Sequence, residues 1–167
     1  CLYISQIDNY KNHLELIEAV ITLNQEYKLK LVLVGDGEKK IIDKINNRIS
    51  KANHSREIVV LTGAVTRKKI KEYMENSNIF VFSSSCEAFG ISLLEAMAIG
   101  LPIASSNKSS IPETLKNGGV YYDPKDVNDI VKSLKSIIQN SGLRNSIALN
   151  AKTISNHYSW SNCSSKT

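Results

Sequence analysis

Short apolar runs alternate with longer amphipathic stretches along most of the chain. Residues 29–34 are almost wholly apolar, which is typical of a strand buried on both faces of a parallel sheet. Residues 13–25 instead carry apolar side chains at helical spacing, and Thr66 is a suitable N-cap for a later helix. The pattern predicts strands at residues 2–5, 29–34, 58–61, 79–82, 102–104 and 119–122, and helices at 13–25, 38–52, 66–75, 90–99, 111–115, 126–139 and 143–157.

This alternation of strands and helices predicts an α/β fold with an open, doubly wound, Rossmann-like parallel sheet of about six strands flanked by helices. Residues 1–160 would fill one domain, and residues 161–167 would form a frayed tail. In such sheets ligands bind at the carboxyl ends of the strands, at the switch point. The loops after the first four strands are therefore the first places to seek a site.

The loop after the fourth strand has the composition of an anion site. A run of small polar residues leads to Glu87, and then Gly90 opens a helix that carries Glu95. The start of a helix offers unpaired N–H groups and positive charge to a phosphate, and a glycine lets the ligand approach the backbone. The two carboxylates could accept hydrogen bonds from sugar hydroxyls. Alternatively, Ser92 and Glu95 match a capping box, in which Glu95 is structural.

Ordered motifs across residues 2–160 resemble the group 1 glycosyltransferases. Two glutamates separated by seven residues, with Phe-Gly between them and Glu-Ala-Met from the second, carry the resemblance. The other motifs in family order are K-N at 11–12, G-D-G at 35–37, L-T-G at 61–63, G-L-P at 100–102, I-P-E at 111–113, D-P at 123–124 and Y-S-W at 158–160.

The resemblance implies a GT-B enzyme, in which two Rossmann-like domains face each other across a cleft. This chain would be the C-terminal, donor-binding half, and the N-terminal acceptor domain would be absent from it. The implied reaction is transfer of a hexosyl group, with retention of configuration, from a UDP- or GDP-linked sugar to a hydroxyl acceptor during polysaccharide or glycolipid assembly. The acceptor would be a sugar or a lipid-linked molecule, and neither a metal nor a cofactor is expected.

The resemblance also implies roles for individual residues. Glu95 would hold the ribose hydroxyls, Glu87 would contact the donor sugar, and Lys11 would neutralise the diphosphate. Because the leaving group is a diphosphate, catalysis chiefly needs stabilisation of negative charge, which Lys11 and the backbone amides of residues 90–92 would supply. Lys11 and Glu87 are the predicted catalytic residues, with Glu87 expected to position the sugar and no nucleophile assigned. The donor would also contact the start of the helix through Phe89, Gly90, Ile91 and Ser92.

One position departs from the family pattern. Many members carry an arginine about five residues before the lysine, whereas this chain has Gln6 there. A diphosphate clamp without that arginine is weaker, which supports a rival interpretation as a non-catalytic nucleotide-binding module. A related GT-B enzyme with other chemistry, such as a nucleotide-sugar epimerase or a phosphorylase, is a further alternative. A phosphorylase would need a lysine in a sequence context that binds pyridoxal phosphate, and no such context is recognisable.

The loop after the second strand has three interpretations. Gly35 and Asp36, with Gly63 from the next loop, are predicted to lie near the donor nucleotide. A dinucleotide fingerprint is a poor match, because Lys40 stands where the third glycine is required. Asp36 and Glu38 could instead imitate a magnesium site, but a strand-to-helix turn explains both residues.

Charge and cysteine content narrow the partners and the compartment. The net charge is +5, but the basic residues are scattered and not interleaved with aromatics, so nucleic acid is not expected as a partner. The run 67–69, with Lys71, is interpreted as a solvated helix face, with contact to an anionic membrane surface as the alternative. Three unpatterned cysteines indicate a reducing compartment, so a cytoplasmic location is predicted, with peripheral contact to the inner face of the membrane.

Several single residues have ordinary structural interpretations. Cys86 is predicted to be a small packed thiol and not a nucleophile. The three histidines are expected at the surface, with His13 as a candidate for lining the cleft. Trp160 is expected to anchor the last helix. Because Cys1 leads directly into an apolar run, the chain is interpreted as an excerpt of a longer protein.

Overall fold

A six-stranded, fully parallel sheet forms the centre of the molecule in the computed structural model, which describes residues 1–53 and 56–158. The strands are β1 (Leu2–Ile4), β2 (Leu31–Val34), β3 (Val59–Leu61), β4 (Phe80–Phe82), β5 (Ile103–Ser106) and β6 (Val120–Tyr122). Their order across the sheet is β3-β2-β1-β4-β5-β6. The predicted doubly wound α/β fold is confirmed.

Helices connect or follow all of these strands, as the periodicity predicts. They are α1 (His13–Leu23), α2 (Lys39–Ala52), α3 (Arg67–Glu75), α4 (Ile91–Ile99), α5 (Ile111–Leu115), α6 (Val127–Gln139) and α7 (Ser141–Ser155). The Thr66 side chain accepts the N–H of Lys69, so the predicted cap of α3 is confirmed. α7 begins two residues before its predicted start, because the Asn140 side chain accepts the N–H of Leu143.

Burial explains where the strands begin and end. β1 and β4 are buried along their whole length, as central strands covered on both faces must be. β2 begins only at Leu31, because the N–H of Leu29 is bonded to the Tyr27 carbonyl in a turn. β5 extends past its predicted end, since Ser105 and Ser106 are fully buried and pair with β6. The predicted tail at 161–167 lies outside the described residues, as do Trp160 and His54.

The helices cover the sheet from two sides. α1 packs against α2 and α6, whereas α4 packs against α3 and α7. The apolar faces of these helices and the strand side chains form one buried core. Among the described residues, no helix is both long and apolar enough to cross a bilayer.

Candidate functional site

The centre of the sheet contains the switch point of the fold. β1 and β4 are neighbours although they are distant in sequence, and the helices that follow them cover opposite faces. Diverging connections of this kind leave a crevice outside the carboxyl ends of the two strands. The loop after β1 carries Lys11 and the loop after β4 carries Glu87, so both predicted catalytic residues border this crevice.

The loop after β1 holds Lys11 in a tight turn. The Asp8 carboxylate accepts the N–H of Asn9 and opens a short 3-10 helix, Asn9–Lys11. The Tyr3 hydroxyl donates to the Lys11 carbonyl at 3.1 Å, which fixes the end of that turn. Lys11 is only 7% exposed. A cation that is nearly buried needs an anionic partner, because desolvation disfavours its charge.

Glu87 provides that partner. Its carboxylate forms an ion pair with the Lys11 ammonium, and its side chain is 16% exposed. The loop after β5 holds its backbone from the other side: Ser109 Oγ accepts the Glu87 N–H at 3.2 Å and donates to its carbonyl at 2.8 Å. Ser110 Oγ donates to the same carbonyl at 2.8 Å. Both predicted catalytic side chains are therefore in direct contact, and the loop that carries the acid is fixed.

The start of α4 lies beside this ion pair. Gly90 precedes the helix with φ 73°, and no side chain caps the first turn. A side chain at this position would be strained, and its Cβ would lie 3.3 Å from the Phe82 ring. A cavity of about 380 Å³ opens here. Six predicted site residues line it, namely Lys11, Glu87, Phe89, Gly90, Ile91 and Ser92.

Glu95 lies one helical turn beyond Ile91. Its carboxylate accepts a hydrogen bond from Arg67 Nη1 at 2.8 Å. A second cavity, of about 480 Å³, is lined by Arg67, Phe89, Ile91 and Glu95 among others. The two cavities are neighbours, because Phe89 and Ile91 line both, and together they extend along α4 from Lys11 to Glu95; we call them the α4 groove.

The capping-box interpretation of Glu95 is wrong. α4 begins at Ile91, so Ser92 lies inside the helix and is not its N-cap. The Ser92 hydroxyl instead donates to the Ile4 carbonyl at 3.0 Å, joining α4 to the end of β1. Glu95 therefore has no part in closing the helix start, and its partner among the described residues is an exposed arginine.

The loops after β2 and β3 meet each other at the same edge of the sheet. The Gly35 N–H donates to the Gly63 carbonyl at 3.1 Å. Gly35 has φ 148°, and a Cβ there would lie 1.8 Å from the Ser5 carbonyl oxygen, so glycine is required. Asp36 Oδ1 accepts the N–H of Gly37 at 2.8 Å, as in a turn. Gly35, Asp36 and Gly63 do not line the two cavities, and their role as donor contacts stays a prediction.

Nucleotide binding is expected to be independent of a divalent metal. Among the described residues, no group of three or more potential metal ligands is present, and the Asp36 carboxylate is engaged in its own turn. A helix start and a lysine can hold a diphosphate without a cation. The measurement is nucleoside diphosphate affinity in excess EDTA and in excess magnesium, with equal values expected. A large loss on chelation would restore the Asp36 and Glu38 alternative.

Two predictions about single residues are wrong. His13 is 3% exposed and stacks on Tyr3 with ring centroids 5.0 Å apart, so it is a core residue. Burial, assisted by the positive charge of Lys11, lowers the pKa of His13 to about 4. Cys86 is exposed and not packed. The sequence around His13 and Cys86 contains no pattern that distinguishes a buried side chain from an exposed one.

Three contributors to the site were not predicted from sequence. Arg67 was grouped with a solvated helix face, and it is 81% exposed, but it pairs with Glu95. Ser109 and Ser110 reach the site from the loop after β5, which is more than twenty residues away from Glu87 in sequence. Long-range hydrogen bonds of this kind leave no local pattern, so only the position of the loop at the carboxyl edge could have indicated them.

Sequence comparison gives one family over most of the chain. The family model for group 1 glycosyl transferases matches residues 1–154. The O-antigen chain mannosyltransferase B of Escherichia coli is 26% identical over 166 residues, which is 99% of this chain and 44% of that protein. The chain therefore spans less than half the length of this curated relative.

Solved structures with the same fold include two proteins that match over nearly the whole chain. A glycosyltransferase from Rickettsia africae superposes with a TM-score of 0.87 at 20% identity, covering 99% of this chain and 45% of that one. HepE from Anabaena, solved in complex with UDP and glucose, gives a TM-score of 0.83 at 20% identity, covering 93% of this chain and 43% of HepE. At these identities the structures establish the fold.

Proposed function

Because the chain belongs to the group 1 glycosyltransferase family, we propose that it is the nucleotide-sugar-binding half of a retaining enzyme. The substrate would be a UDP- or GDP-linked hexose. The observation that carries the proposal is the meeting of Lys11, Glu87 and the uncapped start of α4 at the switch point of the sheet. A cation, a carboxylate and a helix start together offer contacts to a phosphate and to sugar hydroxyls.

The proposed chemistry assigns each group a different part of the donor. The Lys11 ammonium and the first turn of α4 stabilise the negative charge that develops on the leaving diphosphate. Glu87 accepts hydrogen bonds from the sugar hydroxyls and positions the anomeric carbon. Since Glu87 pairs with Lys11 in the free chain, the incoming diphosphate competes for the lysine and releases the carboxylate for the sugar. Retention of configuration is part of the proposal and rests on the family resemblance alone, and no nucleophile is assigned.

Titration calorimetry with UDP, GDP, ADP and CMP, and with the matching nucleosides, tests this proposal. One diphosphate should bind more tightly than the others, and its affinity should exceed that of its own nucleoside. The difference between the diphosphate and nucleoside affinities measures the contribution of the phosphate site. The preference among the bases measures the contribution of the groove beyond Glu95, where the base would lie. Absence of binding for all the nucleotides would contradict the proposal.

Glu95→Gln is expected to weaken nucleotide affinity by about severalfold while changing the melting temperature little. A ribose-binding carboxylate loses a charge-assisted acceptor in this variant. Stability should hold, because the pair with Arg67 is exposed and such pairs contribute about 0–1 kcal/mol. Glu72→Gln is the matched control, since it removes an exposed pair with Lys69 that lies outside the groove. If affinity stays at the wild-type value, Glu95 does not bind the ribose.

The non-catalytic nucleotide-binding module remains the second candidate, and one observation favours it. Gln6, at the position of the family's arginine, is exposed and brings no positive charge to the crevice. Gln6→Arg distinguishes the two functions. The transfer assay needs a longer form of the protein that also carries the proposed acceptor domain. A gain in diphosphate affinity that brings no sugar transfer by that longer form would support the module, whereas transfer by its wild type would exclude the module.

The acceptor and the cellular setting complete the proposal. The acceptor would be a sugar or a lipid-linked hydroxyl held by a second domain, and the chain's match to only 44% of the length of the mannosyltransferase relative supports this. We place the enzyme in the cytoplasm, with α3 as the surface nearest an anionic membrane, because Arg67, Lys68 and Lys69 are exposed on its first turn. Co-sedimentation with anionic and neutral vesicles tests the membrane contact.

A further inference from the structure

A single side chain ties together the two loops that carry Lys11 and Glu87. Asn12 is 5% exposed, and its Nδ2 lies 2.7 Å from the Ser83 carbonyl oxygen and 2.7 Å from Ser85 Oγ. The same nitrogen lies 3.0 Å from the Tyr10 carbonyl oxygen. Tyr10 belongs to the loop after β1, whereas the other two acceptors belong to the loop after β4. The amide therefore bridges the switch point.

The backbone geometry shows that this bridge is built into the turn. Asn12 adopts the left-handed conformation, with φ 51° and ψ 43°, between the 3-10 helix and α1. Asparagine tolerates this conformation better than most residues other than glycine. Glycine would serve the backbone equally well, but it could not make the three side-chain contacts. A backbone bond from the Ser85 N–H to the Tyr10 carbonyl, at 2.7 Å, supports the same junction.

We propose that Asn12 is a positioning residue, which sets the separation between the Lys11 ammonium and the start of α4 so that one diphosphate contacts both. Lys11 is its immediate neighbour, and Glu87 follows Ser85 by two residues. Without the amide, the two loops would be joined by the backbone bond and by the Lys11–Glu87 ion pair, which the diphosphate itself competes for, so Lys11 would be held less firmly. The inference rests on the proposed function, because it presumes a diphosphate at this site.

Asn12→Gly tests the proposal, because it removes the amide and keeps the left-handed turn accessible. The probe is whichever of UDP or GDP the wild type binds more tightly, together with its nucleoside. The diphosphate affinity is expected to fall by about three- to tenfold, the equivalent of one or two lost hydrogen bonds. The nucleoside affinity should stay within twofold of the wild type, since the groove beyond Ile91 is untouched.

Asn53→Gly is the matched control. Asn53 also uses its side chain to join a turn to a strand, donating to the Val59 carbonyl at 2.7 Å, but it lies at the opposite edge of the sheet. A purely structural role for Asn12 would make the two variants alike: both would lose thermal stability, and neither would change the ratio of diphosphate to nucleoside affinity. If the ratio of diphosphate to nucleoside affinity changes for Asn12→Gly and not for Asn53→Gly, Asn12 acts as a positioning residue.

A double-mutant cycle identifies the group through which Asn12 acts. In a Lys11→Ala background, Asn12→Gly should have little further effect on the diphosphate, because the positioned group is already missing. The proposal would be overturned if the effects of Lys11→Ala and Asn12→Gly on diphosphate affinity were fully additive. It would also be overturned if Asn12→Gly left the ratio of diphosphate to nucleoside affinity unchanged. If Asn12→Gly does not fold, Ser85→Ala removes one acceptor of the amide and should shift the ratio in the same direction by about twofold. If the wild type binds no nucleotide, the proposed function itself fails, and that result is distinct from binding without coupling.

Discussion

The 167-residue chain on its own is expected to bind a nucleoside diphosphate and to transfer no sugar. Its described residues form one doubly wound unit with one core, and the proposed donor contacts Lys11, Glu87 and Glu95 all follow the carboxyl ends of its strands. Transfer requires the acceptor hydroxyl to be held against the donor, and positioning of two reactants contributes on the order of 7–11 kcal/mol to lowering a barrier. A chain that binds only the donor cannot lower the barrier in this way, so its rate of transfer should stay at background.

Radiolabelled transfer from UDP- and GDP-sugars measures this expectation. The matched control is mannosyltransferase B of Escherichia coli, assayed whole and as the 44% of its length that this chain matches. The whole relative should transfer, whereas its truncated form and this chain should bind nucleotide with turnover at background. Turnover by this chain at the rate of the whole relative would place the acceptor site within these residues and contradict the two-domain proposal.

The fold could be predicted from sequence because the central strands have to be apolar on both faces. Runs such as 79–82 have no polar position to expose, and only a covered parallel sheet accommodates several of them. The same argument could not predict where β5 ends. Ser105 and Ser106 look like loop residues, yet they are fully buried against β6. Their burial depends on which strand lies next to them, and that is a property of topology.

The candidate site was predictable where it depends on local backbone chemistry. A glycine at a helix start that follows a strand predicts an anion site, and Gly90 has the left-handed conformation that favours a glycine. The contact between Lys11 and Glu87 could be expected only after the fold was known, because 76 positions separate them. Asn12 was seen in sequence only as the neighbour of Lys11. Its function as a bridge depends on acceptors in another loop.

Glu95 illustrates how a local pattern can mislead. Ser-Leu-Leu-Glu satisfies the spacing of a capping box with Ser92 as the N-cap, but the N-cap is Gly90, two residues earlier, and the helix begins at Ile91. Gly90 occupies the N-cap position, since its left-handed φ turns the chain from the loop into the helix. Glu95 is therefore free of the helix start and reaches Arg67. Sequence spacing alone could not place the boundary with the one-residue accuracy that this distinction requires.

Lys11→Ala is expected to weaken nucleoside diphosphate binding by about ten- to a hundredfold and to leave nucleoside binding nearly unchanged. A hydrogen bond to a charged group contributes about 1.5–3 kcal/mol, which corresponds to that range. The crevice has little to compensate for the loss, because the exposed Gln6 carries no charge at the position of the family's arginine. The variant also leaves Glu87 without its cation, and the repulsion between this carboxylate and a diphosphate pushes the effect toward the upper end.

Calorimetric titration of the diphosphate and its nucleoside measures the expected difference. Lys30→Ala is the matched control, since it removes an exposed pair with Glu57 at the opposite edge of the sheet and should leave both affinities unchanged. The nucleoside provides an internal reference for folding, because a partly unfolded variant would lose both ligands together. Equal losses for nucleoside and diphosphate would remove Lys11 from the phosphate site. The start of α4 would then be the principal phosphate contact. In that case the diphosphate affinity should depend only weakly on salt concentration, because a helix dipole carries only about half an elementary charge.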